Sequence, residues 1–128
     1  MKKRILLVDD DQEIVDLLQF NLEHAGFAVS TATNGDDALK IAREKTPDLV
    51  LLDLMLPGIN GFTVCETLRR EAATALVPVL MLTAMPGEFC KLFGLEVGVS
   101  EFLEKPFSVQ ALLARIRSLL ENRLVTAL

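Results

Sequence analysis

Cysteine is scarce in this chain. There are two, Cys65 and Cys90, and no CxxC spacing. That pattern excludes a disulfide scaffold and reads as two buried thiols in a reducing compartment. Histidine is scarcer still: His24 stands alone on the first predicted helix, and we read it as a surface residue with no metal or acid–base role. Long apolar runs are missing, since none approaches the roughly 18 residues of a membrane span. Met1-Lys2-Lys3-Arg4 followed by Ile5 to Val8 imitates the opening of a signal peptide, but Asp9-Asp10-Asp11 cuts it off too early for an h-region. The expectation is a cytoplasmic chain with no membrane partner. A basic stripe is also lacking. With a net charge of −5 and a pI near 4.8, direct nucleic-acid binding is not expected. There is no internal repeat, low-complexity segment or linker. Residues 1–123 read as one domain, and 124–128 as a short C-terminal tail.

What is present is a globular composition, 51% hydrophobic and 24% charged over 128 residues, enough for one core. Ile5 to Val8 is a short aliphatic run, the signature of a buried strand. Ile14, Leu17, Leu18 and Leu22 recur at helical spacing, and Gly26 supplies a helix-ending residue. Phe27 to Thr31 predicts a second strand. Asn34-Gly35 reads as a turn, and Ala38, Leu39 and Ala42 mark a short helix. Asp48 to Leu52 is a third strand, apolar throughout, as in a parallel sheet buried on both faces. Gly58-Ile59-Asn60-Gly61 reads as a loop, with a helix from Phe62 to about Arg70. Val77 to Leu82 is a fourth strand, Glu88 to Val97 a weakly specified helix containing Gly94, and Ser100 to Leu103 a fifth strand. Val109, Leu112, Leu113, Ile116, Leu119 and Leu120 predict a strong final helix from Phe107 to Leu120. Five strands strictly alternate with five helices, which argues for a parallel sheet with helices on both faces.

The carboxyl ends of these strands collect the chemistry. The first ends in Asp9, Asp10 and Asp11, the third in Asp53, the fourth in Thr83 and the fifth in Lys105. In open α/β sheets, ligands bind beyond those ends. Carboxylates brought together repel by roughly 4 kcal/mol per pair at 4 Å and an effective dielectric near 20. Such a cluster raises its pKa values or holds a cation. Oxygen-only donors favour Mg²⁺, Mn²⁺ or Ca²⁺, and no His or Cys is placed to make a zinc site. A carboxylate, a hard cation, a Lys and a hydroxyl are the parts needed to move a phosphoryl group. Each residue also has a plainer reading. Asp10 with Glu13 fits a capping box, although Asp11 is the better cap. Thr83 could be only a strand end, Phe102 only core, and Met55, Met81 and Met85 only packing.

Four segments carry a resemblance: Ile5 to Asp11, Asp48 to Gly61, Val79 to Ala84, and Phe102 to Phe107. In this order and spacing they resemble, from end to end, the receiver domain of two-component response regulators. The resemblance implies a flavodoxin-like α/β fold, a (βα)5 doubly wound parallel sheet in strand order 2-1-3-4-5. It implies that Asp53 is the phosphoacceptor, fed by a sensor histidine kinase or a phosphotransfer protein. Asp9, Asp10, Asp53 and the Met55 backbone carbonyl would hold Mg²⁺, with Mn²⁺ a substitute. Lys105 would contact the phosphate, Thr83 would hydrogen-bond it, and Phe102 would swing inward as Thr83 moves. Lys105-Pro106 stands where the family has a cis peptide. The chain would be a switch for an output domain or partner. It would catalyse its own phosphorylation and dephosphorylation without being an enzyme on an external substrate.

The resemblance has departures. Met55 and Met85 sit two positions beyond Asp53 and Thr83, where neither thioether orients water well, so slow self-dephosphorylation is expected. Pro86-Gly87 is expected to shorten or shift the fourth helix. Ala114-Arg115-Ile116 resembles receivers of the winged-helix transcription-factor branch, which dimerise by crossed ion pairs. Lys91 and Arg115 match that set, but the acidic partners fall on uncharged Ala111 and Val97, leaving Glu101 with Arg123. That dimer is therefore not expected, and the same face is open to a different partner. Three rivals remain. An Asp-based phosphatase would want an acid–base Asp where Met55 stands. A flavin protein would want a phosphate-cradling loop where the three aspartates stand. A phosphorylation-independent interaction module would tolerate loss of the acidic, acceptor or Lys residues, all of which are present.

Overall fold

The computed structural model describes every residue except Met85, Pro86 and Leu128, and every side chain among these except Phe89 and 123–127. Strands and helices alternate as β1 (Arg4–Val8), α1 (Gln12–His24), β2 (Ala28–Ala32), α2 (Gly35–Glu44), β3 (Leu49–Asp53), α3 (Gly61–Arg70), β4 (Val79–Thr83), α4 (Glu88–Val97), β5 (Glu101–Glu104) and α5 (Val109–Ala127). The five strands form one parallel sheet in the order β2-β1-β3-β4-β5. This is the architecture expected from the alternation, and the strand order is the one the resemblance implies.

Strand periodicity splits the core in two. Leu6, Val8, Val50, Leu52, Val79 and Met81 face α2 and α3, where Ala38, Ala42, Val64 and Leu68 cover them. Ile5, Leu7, Leu49, Leu51, Leu80 and Leu82 face α1 and α5, under Val15, Leu18, Leu22, Leu112 and Ile116. Because β1, β3 and β4 are covered on both faces, they are aliphatic without alternation. At their carboxyl ends these aliphatic runs give way to the polar Asp9, Asp53 and Thr83.

Local chemistry sets the entry and exit of each helix. Asp11 caps α1, its carboxylate accepting from the Glu13 and Ile14 N–H groups. Gly26 follows α1 at φ +100°, a conformation that favours glycine. Three sequence expectations change here. Asn34-Gly35 is no free turn: Asn34 caps α2 through the Asp37 N–H, and Gly35 is the first helical residue. Gly61 likewise opens α3, with Asn60 as its cap. On α1, Leu17 is exposed while Val15 is buried. Ile14, Leu18 and Leu22 pack against the sheet as expected, and Val15 rather than Leu17 completes the buried face. The strands also run on: β2, β3, β4 and β5 each reach one residue beyond the predicted end. The fourth helix keeps the predicted bounds despite Gly87, and the expectation about Pro86 lies outside the described residues.

Candidate functional site at the carboxyl ends of the strands

β1 delivers Asp9, and its backbone N–H is held by the Ala32 carbonyl of β2 at 3.1 Å. Asp9 is buried; its Oδ1 accepts the Asp11 N–H at 2.9 Å. β3 delivers Asp53, also buried, and the next N–H, of Leu54, bonds the Leu82 carbonyl of β4. β4 delivers Thr83, buried at its last position. The Lys105 N–H donates to the Thr83 carbonyl at 2.8 Å, and the Lys105–Pro106 peptide is cis. The Lys105 side chain reaches over the strand ends. Its Nζ lies 3.2 Å from Asp9 Oδ2 and 3.5 Å from Asp53 Oδ1. The Met55 N–H adds a bond to Asp53 Oδ1 at 3.3 Å.

Asp10 completes the group from the exposed side. One carboxylate oxygen from each of Asp9, Asp10 and Asp53 lies within 4.8 Å of the others. Three carboxylates face one ammonium, so the pocket carries excess negative charge. The Asp53 carboxyl is accordingly held above the usual carboxylate range. Burial is the main cause, the Asp9 charge adds to it, and Lys105 and the Met55 N–H oppose it. Three hard oxygen donors and no nitrogen or sulfur donor fit a hard divalent cation. A cation there would remove the repulsion that Lys105 offsets only in part.

The structure brings together Asp9, Asp10, Asp53 and Lys105, with Thr83 on the adjoining strand. Phe102 stands apart from the carboxylates. It lies half-buried on β5, opposite Met81 in register, with its ring edge-on to Phe62. Two expectations need correction. The Met55 side chain is no packing element but is 62% exposed, since the turn after β3 points it outward. Cys90 is only half-buried, whereas Cys65 is fully covered. Met81 is core as expected, and Met85 lies outside the described residues. His24 stacks on exposed Phe20 at 6.2 Å, away from the site. Arg115 pairs within the chain with Glu101, the acid the sequence had offered to Arg123; the Arg123 side chain lies outside the described residues.

Sequence reasoning missed Gly61 and Arg69. A Cβ on Gly61 would stand 2.6 Å from the Asp53 carbonyl and 2.9 Å from Leu54 Cα. Only a bare backbone lets the start of α3 approach the end of β3 this closely. Arg69 threads under the α4–β5 turn, donating to the carbonyls of Gly98 and Val77 at 3.0 and 2.5 Å. Nothing in its position within the apolar phase of α3 announced that role.

The family model for the response regulator receiver domain matches residues 5–117. The chain belongs to that family. Among curated relatives, it is 46% identical over 127 residues to the alkaline phosphatase synthesis transcriptional regulatory protein PhoP of Bacillus subtilis. It is 50% identical over 119 residues to the DNA-binding dual master transcriptional regulator RpaA of Synechocystis. These alignments cover 99% and 93% of this receiver but only 52% and 49% of the relatives, so the chain spans about half their length. Among solved structures, a putative response regulator from Chloroflexus aurantiacus superposes with a TM-score of 0.89 at 36% identity, covering 94% of this chain and 99% of that one. The Vibrio cholerae chemotaxis protein CheY4 gives 0.90 at 30% identity, covering 93% and 99%. The receiver therefore has the flavodoxin-like fold of those regulators.

Proposed function

We propose that this receiver is a phosphorylation-controlled switch whose acceptor is Asp53. The observation that carries the reading is the buried Asp53 carboxylate at the end of β3, set between Asp9, Asp10 and the Lys105 ammonium. An oxygen of Asp53 attacks the phosphorus of a phosphohistidine on a sensor kinase or phosphotransfer protein. The P–N bond breaks, the imidazole leaves as the neutral base once protonated, and an aspartyl phosphate remains. Lys105, already facing Asp53, holds one phosphoryl oxygen. The Thr83 hydroxyl hydrogen-bonds another. Asp9, Asp10, Asp53 and the Met55 backbone carbonyl would hold Mg²⁺, which neutralises the phosphoryl oxygens when bound. The chain processes only its own Asp53 and no external substrate. Phosphate favours an inward Thr83 and Phe102 and an altered α4–β5–α5 face.

The names of PhoP and RpaA support an output in transcription control, exerted by a DNA-binding segment or partner rather than by this acidic chain. No helix among the described residues is long and apolar enough to cross a membrane, which supports a cytoplasmic site of action. Intact-mass spectrometry after incubation with acetyl phosphate and Mg²⁺ tests the reading. The expected result is a gain of one phosphoryl group, absent with EDTA and absent in Asp53→Asn. No adduct from acetyl phosphate or from a phosphorylated kinase would replace it with a phosphorylation-independent interaction module.

A further inference from the structure

The middle of α4 holds a glycine that helix propensity disfavours by about 1 kcal/mol relative to alanine. The ring of Phe102 lies directly against it. A Cβ on Gly94 would stand 2.3 Å from Phe102 Cζ and 2.8 Å from Cε2. The same Cβ would be 3.2 Å from Phe62 Cε1. Phe62 is itself wedged edge-on against Phe93 of α4, with centroids 4.9 Å apart. The ring of Phe102 thus lies in a seat with a glycine floor and an aromatic wall, and the wall is braced from behind. Phe102 also lines a cavity of about 450 Å³ together with Thr83, Lys91, Phe107 and Arg115. The ring thus lies tight against Gly94 and borders open space that Thr83 also lines.

We infer that Gly94 is a positioning residue for Phe102: the bare backbone of α4 is what admits the ring to its seat, and a side chain at position 94 drives the ring into the cavity beside Thr83. The displaced atoms are the far end of one side chain, which can rotate about its own bonds. Expulsion of the ring is therefore the path of least resistance, rather than displacement of α4. Thr83 lines the space that the expelled ring enters, so the volume of residue 94 feeds into the phosphate site. Only that last step rests on the phosphorylation reading.

The test is a double-mutant comparison read by thermal denaturation and NMR. In wild-type protein with ¹³C-labelled phenylalanine, nuclear Overhauser contacts are expected between the Phe102 ring and the Gly94 Hα protons. Gly94→Ala is expected to lower the melting temperature. In a Phe102→Ala background the same change is expected to raise it, because the obstructing ring is gone and the remaining 3.2 Å contact with Phe62 is relieved by a shift of a few tenths of an ångström into the space it leaves. Missing Overhauser contacts in the wild type would overturn the inference, as would an equal effect of Gly94→Ala in both backgrounds. If Gly94→Ala alone does not fold, the comparison of Phe102→Ala with the double variant still decides, since a double variant no more stable than Phe102→Ala contradicts the seat. Beryllofluoride with Mg²⁺ then reads the coupling. Because phosphate favours the inward Phe102, Gly94→Ala should tighten beryllofluoride binding several-fold and have no effect when Phe102 is alanine. Wild-type protein that fails to bind beryllofluoride would count against the phosphorylation reading while leaving the stability and Overhauser results to judge the seat.

Discussion

Asp53 is destabilising in the metal-free fold, and that has a measurable sign. Burial and the Asp9 charge raise its carboxyl above the ordinary value. The folded chain therefore keeps a proton there that the unfolded chain has released. The stability due to that proton is complete below the unfolded pKa of about 4, and is lost as pH rises through the raised folded value. In Mg²⁺-free buffer, Asp53→Asn should remove this decline. At neutral pH it should exceed wild type by on the order of 1 kcal/mol in urea denaturation. A less stable variant would contradict the account. The cysteines differ in the same local way. Burial pushes the Cys65 thiol up, with the nearby Arg69 opposing, while Cys90 is only half-buried. A thiol reagent applied to native protein should modify Cys90 and reach Cys65 only on unfolding; equal labelling rates would show that Cys65 is not enclosed. Met55, exposed beside the site, offers no group to orient water. An aspartyl phosphate followed in Mg²⁺ should therefore last minutes rather than seconds.

Helices and strands are the scale at which the sequence was most legible, and where its errors are most instructive. The strands were readable because burial on both faces forces unbroken aliphatic runs. Leu49 to Leu52 could be little else. Helix phase was less readable, since Ile14, Val15, Leu17 and Leu18 are four apolar residues competing for one face. The sheet selects Val15 and Leu18 and leaves Leu17 exposed. Val15→Ala should accordingly cost about 1–3 kcal/mol, and Leu17→Ala within about 0.5 kcal/mol of nothing, by chemical denaturation. The glycines at helix starts were misread as loop because composition cannot reveal a close approach. Gly61→Ala should gain helix propensity and still destabilise by about 1–3 kcal/mol, since the added carbon meets Asp53 and Leu54 backbone rather than a movable side chain. A neutral Gly61→Ala would mean that α3 can retreat from β3.

Across the whole molecule, the parallel order β2-β1-β3-β4-β5 brings together Asp9, Asp53 and Lys105 from strands far apart in sequence. The resulting charge imbalance predicts a linkage to divalent cations. Mg²⁺ at 100 times its dissociation constant should raise unfolding stability by about 2.7 kcal/mol, visible as a higher melting temperature. Asp10→Asn should reduce this gain sharply. An unchanged melting temperature in millimolar Mg²⁺ would argue against a cation site at these three carboxylates.

The sequence by itself determined the alternation of strands and helices, the membership of the core strands and the placing of the carboxylates and the lysine at the strand ends. Those follow from periodicity and from residue chemistry, both of which are local. Only the tertiary structure decided which face α1 buries, that Gly61 and Gly94 are points of close approach, and that Arg69 ties α3 to the α4–β5 turn. These depend on distances between segments remote along the chain, and a periodic pattern holds no information about what will stand opposite it.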